Sequence, residues 1–243
     1  MPSAELAIRA RNLGKSFWMG TRGERRTVPQ MLRRWVTGNS PQRLHWALQN
    51  LNFDIQRGEI LGVMGPNGAG KSTLLLLLAR ILAPSEGTLQ VFGKTNPFFQ
   101  LSAGLEHRLT VLDNFSLCSA LLGMSRKHFQ KKLSEMIAFS GLEEYLYAHY
   151  GELSAGFAAR LPLATAIHAD LDIILVDEML AVGDHAFQSK CMEVFRGFKK
   201  QGKTLVIASH SRDLIQSLST HALYLDKGRP VYLGDATDMP PAP

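Results

Sequence analysis

The stretch from Glu59 to Ser72, EILGVMGPNGAGKS, constrains the fold more than any other part of the chain. A branched apolar run stops at Gly65, and a leucine-rich, helix-forming run, TLLLLLARILA, starts at Thr73. The order predicted is strand, glycine-rich loop, helix. Gly65, Pro66, Asn67, Gly68, Ala69, Gly70, Lys71 and Ser72 match G-x-x-x-x-G-K-[ST], with Thr73 next. Glycines at these places let successive backbone N–H groups turn inward around a phosphate, and the first turn of the helix adds its positive dipole end. In such a loop Lys71 reaches the β- and γ-phosphates and the Ser72 hydroxyl ligates Mg²⁺. The alternative is a glycine-rich turn that happens to hold a lysine, and the flanking strand and helix weigh against it.

A phosphate loop of this kind needs an acid at the end of a buried strand to hold the metal. IILVDE supplies two: Asp177 fits the metal role, and Glu178 fits the general base or water-positioning role. Paired acids in that place could instead cap the next helix. Further strands are predicted at ELAIRAR, LNFDI, DIILV (172–176), TLVIA (204–208) and ALYL (222–225), alternating in the second half with helical stretches. That alternation implies a mostly parallel sheet covered on both faces. From about 105 to 169 the strand signals stop, and runs such as VLDNFSLCSALLGM and RKHFQKKLSEMIAFS read as helices. They predict a helical subdomain set into the α/β core.

Charge separates one segment from the rest. Residues 1–46 carry nine Lys or Arg and two acids, whereas residues 47–243 carry 18 bases and 19 acids, so the net charge of +6 resides in the first fifth. A local basic segment on a near-neutral body points to one docking face rather than to nucleic acid. Residues 19–45 hold Gly, Pro and Arg with little apolar period and read as an extended loop insert, with one short helix around Gln30–Val36. The tail from 236 to 243 is expected to be flexible. A hydrophobic share of 45% excludes an intrinsically disordered chain. The apolar run after Thr73 is interrupted by Arg80, short of a membrane span. Without a basic start followed by an apolar run, the N-terminus predicts a cytosolic chain. Cys118 and Cys191 are too far apart for a C-x-x-C pair and are expected to be reduced core residues.

The remaining motifs narrow the class. Leu153–Phe157, LSAGF, opens a helical stretch with Ser154 lying 23 residues before Asp177; AVGD at 181–184 follows the acid pair; His210 follows TLVIA; and Phe17 stands in LGKSF. This ordered set, spanning residues 5–235, resembles the ATP-binding cassette family. The resemblance implies one α/β nucleotide-binding domain over 1–243, with a mostly parallel sheet, an antiparallel β portion at the N-terminus and the inserted helical subdomain. It implies that Phe17 stacks on adenine, with Trp18 as a rival, and that Gln100 is the Q-loop residue beside the metal. Ser154 and Gly156 would then meet the γ-phosphate bound to a second subunit, Asp184 would be the D-loop residue among those that bind the nucleotide, and His210 would be the switch histidine, catalytic together with Glu178 and Lys71. Ala155 and Phe157 depart from the family's glycine and glutamine, and the surroundings of Gln100, FFQLSAGLEHRLT, do not follow the usual pattern. LSAG recurs at 101–104 without a carboxylate strand at the right distance.

Three further features resemble a subgroup: the basic insert, the run WALQNLNFDIQRGEILGVMGPNGAGKST after it, and MLAVGD in place of ATSALD. These are similar to nucleotide-binding subunits of bacterial exporters of O-antigen, capsule and teichoic acid. The resemblance implies an ATPase with Mg²⁺, a homodimer, a separate membrane permease, a lipid-linked polysaccharide as cargo, and a place on the cytoplasmic face of the inner membrane. Some members continue into a C-terminal carbohydrate-binding domain, and a chain ending at Pro243 fits a short form or a truncated one. Arg22, Arg25, Arg26, Arg33 and Arg34 would lie near anionic headgroups or the carrier pyrophosphate; a solvated loop and a permease contact are the alternatives. A drug exporter or importer stays open as a second reading. A soluble mechanical ATPase of this family calls for coiled coils or a second cassette, and neither is in the sequence.

Overall fold

The computed structural model describes residues 5–19, 43–97, 104–177 and 184–240. Strands β1 (Leu6–Met19) and β2 (Arg43–Gln56) form a long antiparallel pair, and β4 (Glu86–Val91) joins β1 on its other edge in the order β2-β1-β4. The second sheet runs β5-β6-β7-β3-β8-β9, from β3 (Ile60–Met64), β5 (Thr95–Pro97), β6 (Ile173–Val176), β7 (Thr204–Ala208), β8 (His221–Asp226) and β9 (Arg229–Asp235). Its strands are parallel except for β9, which folds back antiparallel on β8.

Every residue of β3, β6 and β7 is buried, because both faces of the parallel sheet are covered. Alternate side chains serve different cores. Ile173, Leu175, Val206 and Ala208 pack with the inner faces of β1 and β2 and with α1 (Lys71–Leu78). Ile174, Val176, Leu205 and Ile207 pack on the opposite face. That face is covered by α2 (Val111–Leu121), α3 (Arg126–Ser140), α5 (Arg160–His168), α6 (His185–Lys200) and α7 (Arg212–Leu218), with the four-residue α4 (Ala155–Ala158) leading into α5. The two-residue alternation of a strand thus divides one sheet between two cores.

Helix starts follow the local chemistry. Thr110, Ser125, Ser154, Asp184 and Ser211 each accept an N–H from the third residue of α2, α3, α4, α6 and α7 respectively. Lys199 and Lys200 lie in the last turn of α6, where positive charge complements the dipole. Cys118 and Cys191 are free and buried, and burial pushes both thiols up to about 12. Among the described residues no helix is long and apolar enough to cross a membrane.

Two expectations are corrected. Strand β2 begins at Arg43, with Phe17, Trp18 and Met19 paired to His45, Leu44 and Arg43, so both ends of the expected loop insert are cross-strand partners. The tail is anchored as far as Met239: Ala236 and Met239 are buried, and Arg212 donates a hydrogen bond to the Met239 carbonyl. The short helix expected around Gln30–Val36 lies outside the described residues.

Candidate nucleotide site

Parallel strand order brings distant residues to one edge. In register, Val63 of β3 stands opposite Ala208 of β7, and Ile207 stands opposite Val176 of β6. The loops leaving β3, β6 and β7 therefore emerge side by side, carrying Gly65–Ser72, Asp177 and His210. Ligands of open α/β sheets bind beyond the carboxyl ends of the strands, which is this edge.

The loop holds its shape through two glycines with no room for a side chain. Gly65 has φ 144°, and a Cβ there would lie 2.2 Å from the Leu225 carbonyl oxygen. Gly70 has φ 106°, and its Cβ would lie 2.5 Å from the Ala47 carbonyl oxygen. The backbones of β8 and β2 thus close on the loop from two sides. Gly70 is also the cap residue of α1, where no side chain caps the helix and no acid stands in the first turn. The first-turn N–H groups and the dipole end face the loop with no acid in the helix's own first turn to neutralise them, the arrangement that takes an anion.

Lys71 is buried, and its ammonium donates to the carbonyls of Gly65 at 2.7 Å and Pro66 at 3.2 Å. The Ser72 hydroxyl donates to Asp177 Oδ2 at 3.1 Å, joining the loop to the end of β6. A cavity of about 460 Å³ is lined by Phe17, His45, Ala47, Asn67, Gly68, Ala69, Gly70, Lys71, Ser72, Thr73 and Asp177. Phe17 is 38% exposed and has the Lys15 ammonium 5.3 Å from its ring, while Trp18 is 68% exposed and is not among the lining residues. His45 and Ala47 escaped the sequence reading; the signal that places them is the β1–β2 register, which sets His45 opposite Phe17.

Other expected residues stand elsewhere. His210 is exposed just after Ser209, whose N–H donates to the Val63 carbonyl, and it is not among the lining residues of the cavity. Ser154 caps α4, Gly156 lies in that helix, and Asp184 caps α6; none of the three lines the cavity. Asp184 accepts from the Phe187 N–H at 2.9 Å and from Arg160 at 3.1 Å. The Phe187 N–H is the main cause that holds its carboxyl below the usual carboxylate range; burial opposes it, and the charge and hydrogen bond of Arg160 add to the lowering. Glu178 and Gln100 lie outside the described residues.

A phosphate loop on β3, an acid ending β6 and an uncapped helix start define the class of P-loop nucleotide-binding proteins. The match to the ABC transporter family model over residues 48–181 is more specific: this chain belongs to that family. The chain is 37% identical over 232 residues to the O-antigen export system ATP-binding protein RfbB of Myxococcus xanthus, covering 94% of this chain and 53% of that protein. It is 35% identical to the teichoic acids export ATP-binding protein TagH of Bacillus anthracis, covering 80% of this chain and 35% of that protein. An O-antigen export system ATP-binding protein RfbB of Klebsiella pneumoniae is 34% identical over 80% of this chain and 79% of its own length. The chain thus spans about half of the Myxococcus relative and a third of the Bacillus one. The dimeric post-hydrolysis state of the ATP-binding cassette MJ0796 bound to ADP and Pi superposes with a TM-score of 0.76 at 24% identity, over 94% of this chain and 98% of that one, which shows the fold.

Proposed function

We propose that this chain is the ATP-hydrolysing subunit of an exporter of lipid-linked surface polysaccharide. In this reading it works as a homodimer on the cytoplasmic face of the inner membrane, against a separate permease. The observation that carries the ATPase reading is the buried Lys71 ammonium, held by the carbonyls of its own loop beside the Ser72–Asp177 hydrogen bond. An arriving triphosphate exchanges those carbonyls for phosphate oxygens. The export reading rests on three relatives, at 34 to 37% identity, named as ATP-binding proteins of O-antigen or teichoic acid export.

Gly65 to Thr73 bind the phosphates, and Phe17 stacks on the base with His45 across from it. Ser72 and Asp177 present a hydroxyl and a carboxylate 3.1 Å apart, oxygen donors that suit Mg²⁺, with Gln100 as a third. When bound, that ion neutralises charge developing on the phosphate oxygens. Glu178 takes a proton from the attacking water as its oxygen bonds to the γ-phosphorus and the bridge to ADP breaks; His210 orients the same water and phosphate. Ser154, Gly156 and Asp184 stand outside the cavity and act on the nucleotide of a second copy, which makes the dimer a requirement of the chemistry. Residues 105–169 form the helical subdomain that carries Ser154.

Glu178→Gln tests this reading. The variant should bind ATP with wild-type affinity, hydrolyse it at less than about one hundredth of the wild-type rate, and sediment as a dimer only with ATP. Hydrolysis at the wild-type rate would remove Glu178 from the chemistry. Purification from membranes with the bound partner identified by mass spectrometry tests the export half, and recovery without any membrane protein would count against it.

A further inference from the structure

Arg160 takes no part in lining the nucleotide cavity, yet it is one of the few buried charged residues among those described, at 8% exposure. Its guanidinium carbon lies 4.2 Å from the centroid of the Phe157 ring and 4.9 Å from that of Phe187. Nη2 donates to Asp184 Oδ2 at 3.1 Å and Nη1 to the Ser140 carbonyl at 3.4 Å, while the buried Nε has no hydrogen-bond partner among the described residues. A flat, weakly hydrated cation held against rings needs fewer hydrogen bonds than an ammonium would.

The two rings occupy equivalent places. The Phe157 N–H is the one accepted by the cap Ser154, at 3.4 Å, and the Phe187 N–H is the one accepted by the cap Asp184, at 2.9 Å. Each ring is also fixed by an edge contact to another aromatic: Tyr145 lies 5.5 Å from Phe157, and Phe139 lies 5.6 Å from Phe187. One guanidinium therefore touches the third residue of two helices and, through Asp184, one of the two caps. Phe157 is the residue that departs from the family's glutamine, and its ring is what makes the contact available.

We propose that Arg160 is a positioning residue that couples the starts of α4 and α6, with Phe157 and Phe187 as its platforms, so that Ser154 and Asp184 are presented to the second copy as one surface. The functional half rests on the proposed action of these caps across the dimer; the coupling itself does not.

Two readouts separate the halves. In the nucleotide-free full chain, amide hydrogen exchange at Phe157 and Phe187 is followed by NMR. Phe157→Leu should speed exchange of the Phe187 amide on the other helix about fivefold, the loss of one ring–cation contact, while Leu61 and Val206 in the sheet stay protected. Phe157→Tyr should restore the wild-type rate, and Arg160→Lys, which keeps the charge but not the plane, should loosen both caps. Phe157 is only partly buried, so its variants keep the test sound if Arg160→Lys misfolds. A change confined to α4 would overturn the coupling. In steady-state ATP hydrolysis, Phe157→Leu should lower kcat about fivefold with KM within about twofold, and Phe157→Tyr should recover it. Unchanged kcat beside faster Phe187 exchange would overturn the functional half alone. A wild-type chain without ATPase activity would instead refute the reading of the site, leaving the exchange result to decide the coupling.

Discussion

At the scale of single residues, Lys71 shows how little space separates structure from chemistry. Its ammonium is buried at the start of a helix and donates to two loop carbonyls, which in the proposed reading stand in for phosphate oxygens. Lys71→Ala should weaken ATP binding by about 100-fold or more, since a charged donor to a phosphate is worth about 1.5–3 kcal/mol and Lys71 serves two phosphates. Titration calorimetry measures this, and an affinity within about threefold of wild type would show that Lys71 is not the phosphate residue. The convergence of Lys71, Ser72 and Asp177 was legible in the sequence because each belongs to a contiguous motif beside a strand. His45 was not, because only the register of β1 against β2 brings it to Phe17. Arg160 was hidden for the same reason: its partners at Ser140, Phe157, Asp184 and Phe187 come from separate elements.

Among the elements, legibility tracked burial. Strands β6 and β7 read as unbroken apolar runs because both their faces are covered. Strands β4 and β9 are mostly exposed, β9 even at Val231 and Leu233, and the three-residue β5 ends at Pro97, so none left a buried apolar run to read. The tail is hidden for a related reason: it is anchored by buried Ala236 and Met239, by the Ala236 N–H given to the Thr220 carbonyl and by the Met239 carbonyl held by Arg212, none of which composition reveals. Helix caps carry a pH signature. Asp184 is held below the usual carboxylate range when folded, so its contribution is complete above about pH 4, where the unfolded carboxyl is also ionised, and fades as pH falls through the lowered value. Asp54, held down by its hydrogen bond from Arg11 between β2 and β1, acts in the same sense. Urea unfolding of wild type and Asp184→Asn at pH 7 and pH 3 should show a stability gap that narrows at the lower pH. A gap that widened there would mean the charge of Asp184 opposes folding.

For the whole molecule, the proposed function gives one chain two half-sites that stand apart within it. The cavity gathers Phe17, the phosphate loop and Asp177, while Ser154 and Asp184 stand at helix starts outside it. Closure of two copies would bring each half-site to the other, and release after hydrolysis would reopen them, which is the mechanical cycle an exporter needs. Two disabled variants mixed together put this arrangement to the test. Lys71→Ala removes the phosphate residue from one half-site, and Ser154→Arg blocks the other with a bulky side chain, so each homodimer should be inactive. A dimer of one with the other concentrates both lesions in a single composite site and leaves the second intact. If each site is built from two copies, the mixture hydrolyses ATP well above the sum of the two variants measured apart. A mixture no more active than that sum would mean that the two half-sites do not act across copies.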